Sequence, residues 1–164
     1  MPATYEPIET KTIGTAVASV TFSSIPQTYT DLVMVFAGNT ASLSTDSISI
    51  QFNGDTTTNY SYTLLSGNGT SATSSRASSQ SIIAGALITS SEITNSIWNV
   101  FNYTNTTTFK TVLVRGNIAG ALVRQGVGLW RKTPEAITSW LLKPDTGQNF
   151  AVGCTFTLYG IKAA

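Results

Sequence analysis

Apolar residues in this chain recur at every second position, in short runs that turn residues keep interrupting. Ile48, Ile50 and Phe52 alternate with Ser49 and Gln51 up to an Asn53-Gly54-Asp55 turn; Ala18, Val20 and Phe22 alternate up to Ile25-Pro26; Phe156 and Leu158 follow Cys154 at the same spacing. A period of two is the signature of a half-buried strand, whereas an amphipathic helix needs apolar residues about 3.6 apart over several turns. No such stripe persists, and the one cap-like element, Ser90-Ser91-Glu92, runs directly into β-branched and Asn residues. The pattern predicts strands over 16–22, 31–37, 47–52, 60–65, 81–87, 93–103, 109–116, 126–130, 137–142 and 154–161. About ten short strands separated by turns make an all-β protein, an antiparallel β-sandwich or barrel with little helix. The run Leu32-Val33-Met34-Val35-Phe36 breaks the alternation by being apolar on both faces, so this strand is expected in the interior or under a neighbouring subunit.

With 164 residues and 41% apolar content, the chain can fill one core without disulfides or a structural metal. The expected organisation is an extended N-terminal arm over 1–12, which contains Pro2 and Pro7, followed by a single β-sandwich domain over 13–164. Between 66 and 79 the sequence is almost entirely Ser, Gly, Thr and Asn, with nothing to bury, and reads as a long surface loop.

Titratable groups are scarce: eight acids, nine bases and no histidine. Ser-His-Asp and Cys-His machinery is therefore excluded, and general acid–base catalysis has little to work with. Asp46 and Asp55 form the least unsuitable pair for a glycosidase, but they flank one predicted strand, and about 3.3 Å per residue puts them too far apart. The turn at Asp55 could supply oxygen donors to a calcium ion, but oxygen-rich turns are common without one, and a plain turn is the expectation. Cys154 is the only cysteine, on the apolar face of its strand, which excludes an internal disulfide and a multi-Cys zinc site and predicts an inert thiol. The expectation is a non-enzyme with no catalytic residues, cofactor or metal. A net charge of +1, with Arg131-Lys132 the only adjacent basic pair, gives no footprint for nucleic acid or an anionic membrane. Neither a signal-peptide pattern nor an apolar stretch of membrane-spanning length is present.

Two features suggest contact with other molecules. Gly126-Val127-Gly128-Leu129-Trp130 removes side chains from one strand face, so something packs closely there, either within the chain or from another subunit. Trp98, Trp130, Trp140, Tyr60, Tyr62 and Tyr103 could stack on sugar rings or could simply fill a core.

The ordered series Phe22-Ser23-Ser24-Ile25-Pro26-Gln27-Thr28-Tyr29-Thr30-Asp31-Leu32, Phe52-Asn53-Gly54-Asp55 through Asn59-Tyr60-Ser61-Tyr62, Leu65-Ser66-Gly67-Asn68-Gly69, Phe101-Asn102-Tyr103-Thr104-Asn105, Gly128-Leu129-Trp130 and Thr155-Phe156-Thr157-Leu158-Tyr159-Gly160-Ile161 resembles small tailed-bacteriophage virion proteins over about residues 16 to 162. That resemblance implies a jelly-roll-like sandwich and a capsid decoration, or cement, protein: made in the host cytoplasm, resident on the capsid surface, homotrimeric, and partnered with the major capsid protein. Members of such groups are also labelled tail or fibre proteins, which implies as the alternative a module that recognises host surface glycans through Tyr60, Tyr62 or a tryptophan and the Asn68 loop. Under the leading reading, the subunit or capsid interface is expected at Thr4, Tyr5, Glu6, Pro7 and Ile8 of the arm, at Leu32, Met34 and Phe36, and at Gly126, Gly128 and Trp130.

Overall fold

The computed structural model describes residues 4–42 and 45–162, and among them it contains twelve strands and no helix. In chain order the strands are β1 (Tyr5–Thr12), β2 (Val20–Phe22), β3 (Asp31–Gly38), β4 (Asp46–Phe52), β5 (Tyr60–Gly67), β6 (Ala72–Gln80), β7 (Ile83–Ile88), β8 (Thr94–Val100), β9 (Lys110–Ile118), β10 (Leu122–Trp130), β11 (Trp140–Pro144) and β12 (Thr155–Ile161). They form two antiparallel sheets. The larger has the order β1-β12-β3-β8-β9-β10-β5-β6, the smaller β2-β11-β4-β7. The chain changes sheet repeatedly, as at β2 to β3, β3 to β4 and β4 to β5, so the two layers of the sandwich are built together.

One core lies between the sheets. The alternation fixes its membership: Leu32, Met34 and Phe36 from β3, Ile48, Ile50 and Phe52 from β4, Trp98 and Val100 from β8, Val112 and Val114 from β9, and Phe156 and Leu158 from β12 all point inward. Cross-sheet contact is tightest where β7 packs on β9 and β10. A Cβ on Gly128 would stand 2.5 Å from Ile83 Cγ2, and one on Gly85 only 2.0 Å from Trp98 Cη2, so glycine at these positions lets the sheets close around bulky residues.

Two segments differ from expectation. Tyr5–Thr12 is not an arm ahead of the domain but the first edge strand of the larger sheet, paired antiparallel with β12 from Tyr5↔Ile161 to Thr12↔Thr155. Its backbone groups find partners there, and Ile8 packs against the core. Residues 1–3, including Pro2, lie outside the described residues. The second difference is Ala72–Gln80, strand β6 rather than loop, paired with β5 from Gly67↔Ala72 to Tyr60↔Gln80. What remains of the predicted loop is a tight turn in which Asn68 Oδ1 accepts from the N–H groups of Thr70 at 3.1 Å and Ser71 at 2.8 Å.

Candidate interaction surface

The smaller sheet covers one face of the larger sheet, and the other is open. Strand register places the open face's residues in rows. One row reads Thr157, Val35, Ile97, Arg115, Gln125, Leu65 and Ser74 across β12, β3, β8, β9, β10, β5 and β6; a neighbouring row reads Tyr159, Val33, Asn99, Leu113, Val127, Thr63 and Arg76. Val35, Leu65, Leu113, Val123 and Val127 on this face are all exposed, Val123 to 62% and Val127 to 47%. An open trough of about 600 Å³ runs along the first row, with Val35, Ile97, Leu65, Val123, Arg115 and Gln125 among its lining residues. A second, of about 370 Å³, adjoins it over Leu113 and Val127.

Over β8, β9, β10, β5 and β6 the charge on this face has one sign; Asp31, on the same side, stands at the far end of β3. Strands β8, β9, β10, β5 and β6 carry no Asp or Glu in their sequences, and Arg115 and Arg76 are exposed on the open side. The ion pairs among the described residues, Lys11–Glu9, Lys132–Glu135 and Lys162–Glu6, lie elsewhere. Arg124, from the same strand as Gln125, points to the inner side, where Nε donates to Ser66 Oγ at 2.9 Å and Nη1 to Ser47 Oγ and the Gly85 carbonyl at 3.3 Å; burial lowers its pKa, and Tyr62 opposes that shift. It ties the two sheets together and is not part of the open face.

Most of the residues expected at an interface are placed differently. Leu32, Met34 and Phe36 are fully buried within their own chain, so they cannot meet a partner; Val33 and Val35 share the opposite side, and of these only Val35 is exposed, Val33 being at 4%. Gly126 lies under Leu64 and Val114, Gly128 under Ile83, and Trp130 stacks on Tyr60 at 6.2 Å, so the close packing at this glycine pair is intramolecular. At the N-terminal edge Thr4 and Pro7 are exposed, Tyr5 meets Tyr159 edge-on at 6.5 Å, and Ile8 is partly buried. Glu6 accepts from Lys162 Nζ at 2.8 Å and Tyr29 Oη at 3.2 Å, and the Lys162 hydrogen bond holds its carboxyl below the usual range.

The glycan platform does not assemble either. Trp98, Trp140, Tyr60 and Tyr103 are at 0% exposure and Trp130 at 2%, all in the core; Tyr62 is half-buried on the inner side, and Asn68 is occupied by its own turn. The carboxylates considered for catalysis or calcium are engaged in structure at opposite ends of β4. Asp46 accepts from Ser47 N and Thr146 N, and Asp55 from Thr57, Asn59 and Trp130. No group of three or more His, Cys, Asp or Glu side chains is close enough to hold a metal among the described residues, and no helix there is long and apolar enough to cross a membrane.

Sequence reasoning missed Val123, Val127, Leu113 and Leu65. A signal was present: Leu64-Leu65 and Val112-Leu113-Val114 are apolar at consecutive positions, as Leu32 to Phe36 are, and a strand buried on one side only has no need of that.

No protein-family profile and no curated protein matches this chain. A crystal structure of a protein of unknown function from Shewanella oneidensis MR-1 aligns with it at a TM-score of 0.31 and 10% identity, over 98% of this chain and 77% of that one, a likeness too slight to bear on fold or function.

Proposed function

We propose that this protein is a non-enzymatic structural component that works by adhesion, and that the open face of its larger sheet is the adhering surface. The observation that carries this reading is the exposed apolar set Val35, Leu65, Leu113, Val123 and Val127 on one sheet face, with Arg115 and Gln125 among them and Arg76 at its β6 side. Scattered apolar residues are normal on a protein surface, but a set gathered on one sheet face is what an interface leaves when its partner is removed. The sequence resemblance supplies the identity of the partner: the outer surface of a tailed-phage capsid, with this chain as a decoration protein clamping major capsid subunits. A mostly apolar partner surface with an acidic group set against Arg115 complements the face.

The test is binding to undecorated capsids by Leu113→Glu and Val127→Glu. Both side chains are exposed, so the fold survives, and each substitution is expected to weaken binding at least about tenfold. Undiminished capsid occupancy by both variants removes this face from the mechanism. Copy number separates the alternative, a tail or fibre module: a decoration protein is present in numbers comparable with the major capsid subunit, a tail protein in far fewer.

A further inference from the structure

The larger sheet has two free edges, built differently. Along β1, Pro7 has no N–H, the register slips between Pro7 and Glu9, and Glu6, Glu9 and Lys11 line the strand. Prolines, bulges and charges are the devices by which proteins stop an edge from pairing with another chain. The β6 edge, Ala-Thr-Ser-Ser-Arg-Ala-Ser-Ser-Gln, has no proline and one charge over nine residues. Its register with β5 is unbroken from Ala72 to Ala77 and shifts only between Ala77 and Gln80, where Ser79 adopts φ 55°. In an antiparallel strand alternate residues direct N–H and C=O to opposite sides. The outward set on β6 has no backbone partner among the described residues.

We propose that β6 pairs with β6 of a second copy across a two-fold axis at Ser75, joining two larger sheets into one. Antiparallel pairing about an axis normal to the sheet keeps the two open faces on the same side, and opposed residues must then share a face, so the axis passes through a residue and not between two. An axis at Arg76 would set two guanidinium groups against each other, which is unfavourable in directly opposed pairs. An axis at Ser74 would set Arg76 against Ala72, which has no polar group to offer the guanidinium. An axis at Ser75 stays within the regular stretch for Thr73 opposing Ala77, Ser74 opposing Arg76 and Ser75 opposing itself, with Ala72 meeting Ser78 where the register begins to shift. The strand's single charge meets a serine, and no side chain is larger than its neighbour can accept. This self-match is the reason for a second copy and not an unrelated strand as the occupant.

Ala72 and Leu65 line the trough of the open face, so the pair presents two troughs side by side, and a surface engaged by both is held bivalently. The inference goes beyond the adhesion reading and does not depend on it. The trimer implied by the sequence resemblance would have to use another surface.

Sedimentation of the purified chain decides the matter. The expected result is a concentration-dependent species of twice 17.4 kDa. Ser75→Lys, which places two ammonium groups on the axis, is expected to weaken it at least about tenfold while leaving tryptophan fluorescence and melting unchanged. Ser75→Cys is expected to give a disulfide-linked dimer under mild oxidation, because directly opposed Cβ atoms lie near disulfide distance. A monomer at all accessible concentrations, a trimer, or a dimer indifferent to Ser75→Lys overturns the proposal. Ser75→Lys leaves the open face intact, and Leu113→Glu leaves β6 intact, so failure of this pairing and failure of the adhesion reading give different results.

Discussion

Replacing Asp55 with Asn asks whether the turn after β4 is held by a charge or by shape alone. The carboxylate accepts from Thr57 N at 3.0 Å, from the Thr57 hydroxyl, from Asn59 Nδ2 at 3.0 Å and from Trp130 Nε1 at 2.7 Å. Burial by itself would raise its pKa. The hydrogen bonds from Thr57, Trp130 and Asn59 outweigh burial and hold it at about 2, against 3.8 for an ordinary Asp. At ~1.36 kcal/mol per pKa unit, the ionised carboxylate contributes about 2.5 kcal/mol to folding at neutral pH. Because the folded-state pKa is the lower one, the contribution is present above the unfolded value near 4 and is lost as pH falls toward about 2. An Asn at this position keeps one acceptor and turns N–H groups toward donors that already point there. The variant is therefore expected to lose about 2–3 kcal/mol near neutral pH, or roughly 5–10 °C in Tm, with the gap to the parent protein closing between about pH 4 and pH 2. Urea titrations followed by tryptophan fluorescence measure this, with Trp130 itself in the network. A gap of the same size at both ends of that range would refute the electrostatic account.

Lys110 is 1% exposed, and its Nζ donates to the carbonyls of Asn105 at 2.6 Å and Thr108 at 2.9 Å; burial lowers its pKa while Glu135 opposes that shift. Lys110→Met should cost about 1–3 kcal/mol in a thermal melt by leaving those carbonyls without their donor, and an unchanged Tm would show that the turn holds without it. Gly85→Ala forces a Cβ to within 2.0 Å of the buried Trp98 ring and should cost about 3 kcal/mol or more, whereas Gly14→Ala, with open space around it, should fall within about 0.5 kcal/mol; equal stabilities for the two variants would overturn the packing argument. The Cys154 thiol is 1% exposed, its pKa is pushed up by burial, and Sγ donates to the Asn39 carbonyl at 3.1 Å. A thiol reagent should label it only as fast as the protein unfolds, and rapid labelling of the native protein would contradict this placement.

The ten segments read as strands each contain or overlap an observed one, because most bury one face more deeply than the other and that asymmetry is written into residue order; β4 and β7 are the exceptions, buried on both faces, so that Ser49 and Gln51, which the alternation turns outward, are at 0% and 8% exposure. Strand β6 is exposed on both faces over most of its length, so no alternation could announce it; it is a strand because β5 offers a backbone ladder. Strand β1 reads as an arm because its proline and charges are those of an edge, and only the presence of β12 beside it makes it part of the sheet.

The sequence by itself determined the all-β class, the turns, the inward residues of most strands and the burial of Cys154, since these follow from local periodicity and side-chain chemistry. Tertiary structure alone decided which of two apolar faces on β3 is core and which is open, that the Gly126-Gly128 pair yields to Leu64 and Ile83 of the same chain, and that Leu113, Val127 and Val35 come together on one surface. Those outcomes depend on strands far apart in sequence becoming neighbours, and hydrogen bonding across a sheet leaves no local mark on the residues it joins.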